Sequence, residues 1–232
     1  MTSSRQSPQR GLGGILQVKI MVLYLDSAQV EEAEQVIQWG WVKGITTNPT
    51  LLAKSPLSPI TTLEKLTAIC PGELYYQLTA VEVEGMMQEA AQAREVVGEK
   101  LVLKIPATPL GFTVAARLSG EVACSITGIY SAAQAVVAAE TGAKYAIAYV
   151  NRASRLLGDG IALVYEMAQV LQHTPTQILA ASLKSSAEAA GAIQAGAHHL
   201  TLPLPMLQAL TYHEYSEQTV EEFRANGRGI VE

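Results

Sequence analysis

The sequence predicts an α/β fold, a single (β/α)8 barrel with an extra C-terminal helix. Short apolar runs alternate with longer amphipathic ones along the chain. The gaps between apolar runs are too long for hairpins and suit strand–helix–strand crossovers. Eight such runs can be counted, each followed by a helical stretch, and this count is the signature of a closed barrel. A chain of 232 residues fits one such domain undivided. The rival is an open doubly wound sheet, but no G-x-G-x-x-G follows a strand, so nucleotide binding has no support.

The expected first strand, 22–26, closes on Asp26. Ser27 can cap a helix over 28–39, in which Glu31 and Glu32 suit the positive end and Val30, Ala33, Val36 and Ile37 share a face. After the second strand, 44–47, Thr61 or Thr62 opens a helix with Leu63, Leu66 and Ile69 inward. The third strand, 74–79, leads to a helix over 81–97. The fourth, 101–105, is followed by Pro109 in a first-turn position. The fifth, 121–125, leads to a helix over 131–141 that stops at Gly142. The sixth and seventh are 145–149 and 178–182, and a helix over 185–195 then stops at Gly196. The eighth is 199–202. A last amphipathic helix near 220–225 has no strand to cover and suits packing on a neighbouring subunit.

Composition narrows the function classes. With 49% hydrophobic residues, 18 glycines and 10 prolines, the chain is globular in type. A net charge of −5 without a basic patch argues against nucleic acid as the main partner, although a small phosphorylated ligand needs only local cations. Cys70 and Cys124 lack metal-type spacing, and a disulfide-free cytoplasmic protein is the default. His198 and His199 would face opposite ways on a strand, so no metal site is expected. No apolar run approaches the roughly 20 residues of a membrane span, so no membrane partner is expected. Residues 1–20 carry Arg5 and Arg10, no acid and no signal-peptide apolar stretch. They are expected to be a disordered extension, with Met21 starting the barrel domain at 21–232.

Lys104 stands inside the apolar run Leu101-Val102-Leu103-Lys104-Ile105-Pro106, with no carboxylate in the run. A strand this apolar is expected to be buried on both faces, and lysine is rarely buried without a partner. Burial disfavours the ammonium form, and a neutral amine is a nucleophile towards carbonyls. The alternative is a stem packed along apolar surface with its head in water.

In this fold the chemistry lies at the C-terminal ends of strands. Those ends offer Asp26, Asn48, Gln77, Lys104, Thr127, Tyr149 and Ser182. Each alone has a structural alternative: Asp26 or Thr127 as a helix cap, Asn48 as a turn residue, Tyr149 as a core ring. Their convergence around a lysine favours a catalytic site.

At this point a family resemblance becomes visible. Leu25-Asp26-Ser27 and Gly44-Ile45-Thr46-Thr47-Asn48-Pro49-Thr50 resemble the opening of the transaldolases. Leu103-Lys104-Ile105-Pro106-Ala107-Thr108 is similar to that family's Schiff-base lysine motif. Ala180-Ala181-Ser182-Leu183-Lys184 and Thr201-Leu202-Pro203-Leu204 match as well, and the likeness runs from about Met21 onward. Within the superfamily the chain resembles the fructose-6-phosphate aldolases and small transaldolases. Transaldolases usually carry Glu at Gln77 and Phe at Tyr149, so the resemblance implies an aldolase releasing a free ketone. It departs at Ile147, where the family has Ala or Ser lining the donor pocket; strand alternation aims Ile147 the same way as Tyr149. Ile147 is expected to narrow the donor site towards hydroxyacetone. Ser125, where the aldolases carry a larger apolar residue, restores room.

The resemblance implies the following roles. Lys104 forms the Schiff base. Tyr149 is the acid–base through a water held by Gln77 and Thr127, with Asp26 beside them. Asp26 and Asn48 hold the donor hydroxyls and orient the imine, with Thr46 also at the donor, and Arg152, Ser182 and Lys184 take the acceptor phosphate. The implied ligands are sugar phosphates and ketones, with no cofactor or metal, in a pentameric or decameric homo-oligomer. A transaldolase and a non-catalytic sugar-phosphate-binding barrel remain as alternatives.

Overall fold

The computed structural model describes residues 21–230. Eight parallel strands close into a barrel in sequence order. They are β1 (Leu23–Asp26), β2 (Val42–Thr46), β3 (Leu74–Gln77), β4 (Leu101–Pro106), β5 (Ala123–Ile129), β6 (Tyr145–Tyr149), β7 (Gln177–Ala181) and β8 (His199–Leu202). Around them run α1 (Val30–Gln38), α2 (Pro49–Leu52), α3 (Pro59–Ile69), α4 (Val83–Val97), α5 (Pro109–Leu118), α6 (Ala132–Glu140), α7 (Val150–Leu157), α8 (Gly160–Leu171), α9 (Ser186–Gln194) and α10 (Leu204–Thr211). The final helix is α11 (Glu214–Asn226). The expected barrel is therefore the fold, and the expected disordered extension at 1–20 lies outside the described residues.

Strand alternation divides the core in two. Outward residues such as Leu25, Ile45, Leu103, Ile105 and Ile126 meet the helices in one continuous apolar layer. Inward residues fill the barrel: Tyr24, Tyr75, Val102, Tyr145, Ile147 and Leu179 pack together beneath Tyr149. Small residues make this possible. A Cβ on Gly44 would lie 2.5 Å from the Tyr24 ring, so glycine is what admits that tyrosine to the interior.

Several boundaries differ from expectation, each for a local reason. Ser27 does not cap α1; that helix begins after Gln29, and the Ser27 hydroxyl accepts the Gln29 N–H and donates to Glu32. The helix expected at Thr61 or Thr62 starts earlier, with Ser58 capping and Pro59 in the first turn. β5 begins later than expected and runs on through Gly128, whose φ of 75° sits in a register shift against β6. The span after β6, for which no boundaries were expected, folds as two helices, α7 and α8. Every residue of α11 is exposed, including Tyr215, Val220 and Phe223. Among the described residues no helix is long and apolar enough to cross a membrane.

Candidate active site at the C-terminal mouth of the barrel

β4 is buried along almost its whole length, and Lys104 is 3% exposed within it. Its Nζ donates to the Thr47 carbonyl at 3.0 Å. Among the described residues no ion pair involves it. The strand then turns sharply into α5. A Cβ on Gly111 would stand 2.0 Å from the Pro106 carbonyl oxygen, so glycine is required for the helix to start that close. Thr108 caps this helix through the Gly111 N–H.

Lys104 opens onto a cavity of about 410 Å³, within the usual size for a small-ligand site. Its lining includes Asp26, Asn48, Gln77, Tyr149, Arg152, Ser182 and Lys184, and so joins most of the predicted residues. Gln77 pairs in register with Lys104 across β3 and β4. Its buried Oε1 has no hydrogen-bond partner among the described residues. A buried acceptor left unpaired costs roughly 1–3 kcal/mol, so this oxygen favours a donor brought by a ligand or water.

On the other side of the mouth, the Tyr149 and Thr127 hydroxyls lie 2.9 Å apart. Thr127 is 4% exposed and stands behind Tyr149, outside the cavity lining. The Arg152 guanidinium sits 5.2 Å from the Tyr149 ring centroid, a cation–π distance. The turn from β6 into α7 thus presents a phenol and a cation side by side. Ser182, just past β7, is the non-glycine residue with positive φ among those described, at 58°. Its carbonyl accepts the Asn151 N–H at 3.0 Å, which holds the strained turn against α7.

Asp26 and Asn48 close the ring on the β1–β2 side. The Asn48 side-chain Oδ1 accepts the Leu51 N–H at 3.0 Å and caps α2. Thr46 is fully buried and donates to Asp26 Oδ1 at 2.8 Å, so it supports the site without lining the cavity. Ser125 and Ile147 are also absent from the lining. Ser125 donates to the Leu103 carbonyl at 3.0 Å, and Ile147 is 1% exposed in the interior layer below Tyr149.

Two contributors escaped the sequence. Glu188 accepts from the Asn151 side-chain amide at 2.8 Å and the Lys184 N–H at 2.6 Å, tying the first turn of α7, which carries Arg152, to the loop that carries Lys184. Its place three residues after Ser185, the cap of α9, was the available signal. Thr201 meets Thr46 at 2.6 Å, a contact between residues 155 positions apart that no local pattern reveals. Among the described residues no group of His, Cys, Asp or Glu is arranged to hold a metal ion.

Comparison with known proteins bears on what such a mouth does. The family profile described as transaldolase/fructose-6-phosphate aldolase matches residues 23–229, nearly the whole described barrel. The chain belongs to this family. Curated relatives agree. A probable transaldolase of Symbiobacterium thermophilum is 32% identical over 206 residues, covering 88% of this chain and 95% of the relative. Another, from Exiguobacterium sibiricum, is 33% identical over 210 residues, covering 89% and 97%. That of Alkaliphilus metalliredigens is 31% identical over 214 residues, covering 91% and 100%. Among solved structures, a mandelate oxidase variant superposes with a TM-score of 0.58 at 16% identity, covering 88% of this chain and 70% of the oxidase. That likeness concerns the barrel fold alone. Within the family the chain is an enzyme of the transaldolase and aldolase type.

Proposed function

We propose that the chain is a class I aldolase resembling fructose-6-phosphate aldolase. It would cleave a ketose phosphate reversibly to glyceraldehyde 3-phosphate and a ketone donor, dihydroxyacetone or hydroxyacetone. The observation that carries this reading is the buried Lys104, without an ion pair among the described residues, beside the Oε1 of Gln77, which has no hydrogen-bond partner among them. The Lys104 amine attacks the ketose carbonyl, and loss of water from the carbinolamine gives an iminium. Cleavage of the carbon–carbon bond leaves its electron pair on the donor carbon as an enamine, while the departing hydroxyl oxygen loses its proton and becomes the aldehyde.

Proton movement is assigned to Tyr149, oriented by Thr127 and working through a water on Gln77. Protonation of the enamine and hydrolysis of the iminium free the ketone and restore Lys104. Asp26 and Asn48 orient the imine and donor hydroxyls, a proximity effect. Arg152 and Lys184, with Ser182, receive the acceptor phosphate; guanidinium suits phosphate geometry. This chemistry calls for no metal or organic cofactor. Thr46 and Ser125 back the donor site, and Ile147 limits its depth.

We further propose a cytoplasmic homo-oligomer, a pentamer or decamer. The wholly exposed α11, with Tyr215, Val220 and Phe223 uncovered, supports association between subunits.

The second reading is a transaldolase passing a dihydroxyacetone unit between sugar phosphates, which the names of the relatives favour. Fructose 6-phosphate alone, and then with erythrose 4-phosphate, separates the two. The aldolase reading expects free dihydroxyacetone in both incubations. Sedoheptulose 7-phosphate without free ketone would overturn it. A protein that does neither would be a sugar-phosphate-binding barrel.

A further inference from the structure

We infer that Thr201 is a positioning residue for Asp26, acting through the hydroxyl of Thr46. The inference rests on the aldolase reading, in which Asp26 orients the imine. β1 lies between β8 and β2 in the barrel wall. Tyr24 pairs in register with Thr201 on one side, and Asp26 pairs with Thr46 on the other. The two threonine side chains therefore meet inside the barrel beside Asp26, their oxygens 2.6 Å apart. Thr46 is 0% exposed and Thr201 2%, so water does not compete for these hydroxyls.

Donor counting fixes the direction of the chain. A hydroxyl carries one proton and two lone pairs, and an ionised carboxylate only accepts. The Thr46 hydroxyl donates its hydrogen bond to Asp26 Oδ1 at 2.8 Å. Towards Thr201 it can then only accept, so Thr201 is the donor. The result is a two-hydroxyl chain ending on a charge, in which each link polarises the next. It fixes the Thr46 rotor and aims Oδ1, leaving Asp26 Oδ2 for the reacting species in the cavity. A threonine needed only for packing would also be buried here, but it would have no reason to couple to the charge on Asp26.

Kinetics in the full chain separate the two roles. Thr201→Val keeps the shape and removes the donor. It should lower kcat for fructose 6-phosphate cleavage by about 3- to 10-fold, the usual worth of one hydrogen bond, while KM stays near the wild-type value. Thr201→Ser, which restores the hydroxyl, should recover kcat. In an Asp26→Ala background, which removes the acceptor of the Thr46 hydroxyl, Thr201→Val should cost nothing further, because the interaction it serves is already gone. If Thr201→Val is too unstable to assay, Thr201→Cys fills similar space with a weak donor and should show a partial loss of kcat.

An unchanged kcat in Thr201→Val, or the same fold-loss with and without Asp26→Ala, would overturn the positioning role. Borohydride trapping of hydroxyacetone by the wild-type protein tests the aldolase reading by itself. Trapping and cleavage that proceed normally in both wild type and Thr201→Val would sink the inference and leave the aldolase reading standing. A wild type that neither traps nor cleaves would overturn both.

Discussion

The two ends of the barrel interior handle polar groups in opposite ways. At the N-terminal end, Glu73 Oε2 accepts from the hydroxyls of Tyr24 at 2.7 Å, Tyr145 at 2.8 Å and Tyr75 at 3.3 Å. Lys144 meets its other oxygen at 2.6 Å. The Tyr24 and Tyr75 rings pack edge to face with centroids 5.3 Å apart. Burial would raise the Glu73 carboxyl, but the hydrogen bonds from Lys144, Tyr24 and Tyr145 overcome that and hold it below its ordinary value. Burial, and then the charge on Glu73, push the Tyr24 hydroxyl far up, so it remains a donor. At the C-terminal end, among the described residues, a lysine is buried without an ion pair, a glutamine oxygen has no hydrogen-bond partner and Ser182 is strained. One end satisfies its polar groups internally. The other leaves them poised for a ligand, as functional sites do at the expense of local consistency.

That contrast can be broken first at Lys104. Lys104→Met should cut turnover by at least about 10⁴-fold, the scale on which loss of a covalent nucleophile acts, while Tm holds or rises. A variant that loses stability along with activity would mean that the lysine serves the fold. Next comes Tyr149→Phe. Cleavage should fall by about 10²-fold, the size of an acid–base contribution, with ketone trapping on Lys104 largely intact. Unchanged cleavage would move the proton transfer to another group, with Asp26 the next candidate.

A smaller effect is expected one layer down. Ile147→Ala should raise the ratio of kcat/KM for dihydroxyacetone over hydroxyacetone by about 3- to 10-fold. It should also lower stability by about 2–4 kcal/mol, since it empties a packed site. A ratio that does not move would remove Ile147 from donor selection.

Glu73→Gln should leave turnover alone. It should cost about 1–3 kcal/mol of stability, with little of that from the half-exposed Lys144. The pH dependence follows in sign. A carboxyl held below its ordinary value stabilises fully above that value, near 4.5, and the gain is lost as pH falls through the lowered one. Tm measured from neutral to acid pH should therefore drop more gently in Glu73→Gln than in wild type.

Much of this was legible in the sequence because barrel strands are short, apolar and regularly spaced. The apolar run around Lys104 and the polar residues at strand ends mark the mouth in the sequence itself. The helices after β6 were less legible: α7 starts directly from Tyr149 without a side-chain cap, and α8 is apolar on most faces. The end of β5 was hidden by Gly128, which reads as a turn but sits in a bulge. The Thr46–Thr201 contact and the Glu73 cluster depend on closure of the barrel, which joins residues far apart in the chain. Strand alternation correctly gave the facing of Ile147, but depth along the strand, which decides whether a residue touches the cavity, needed the register.

The central claim is that Lys104 is the carbonyl-reactive amine at the C-terminal mouth of the barrel. Borohydride reduction in the presence of hydroxyacetone, followed by peptide mass analysis, tests it most directly. The added mass should fall on the peptide containing Lys104 and be absent in Lys104→Met. Modification at Lys184, or none at all, would contradict it.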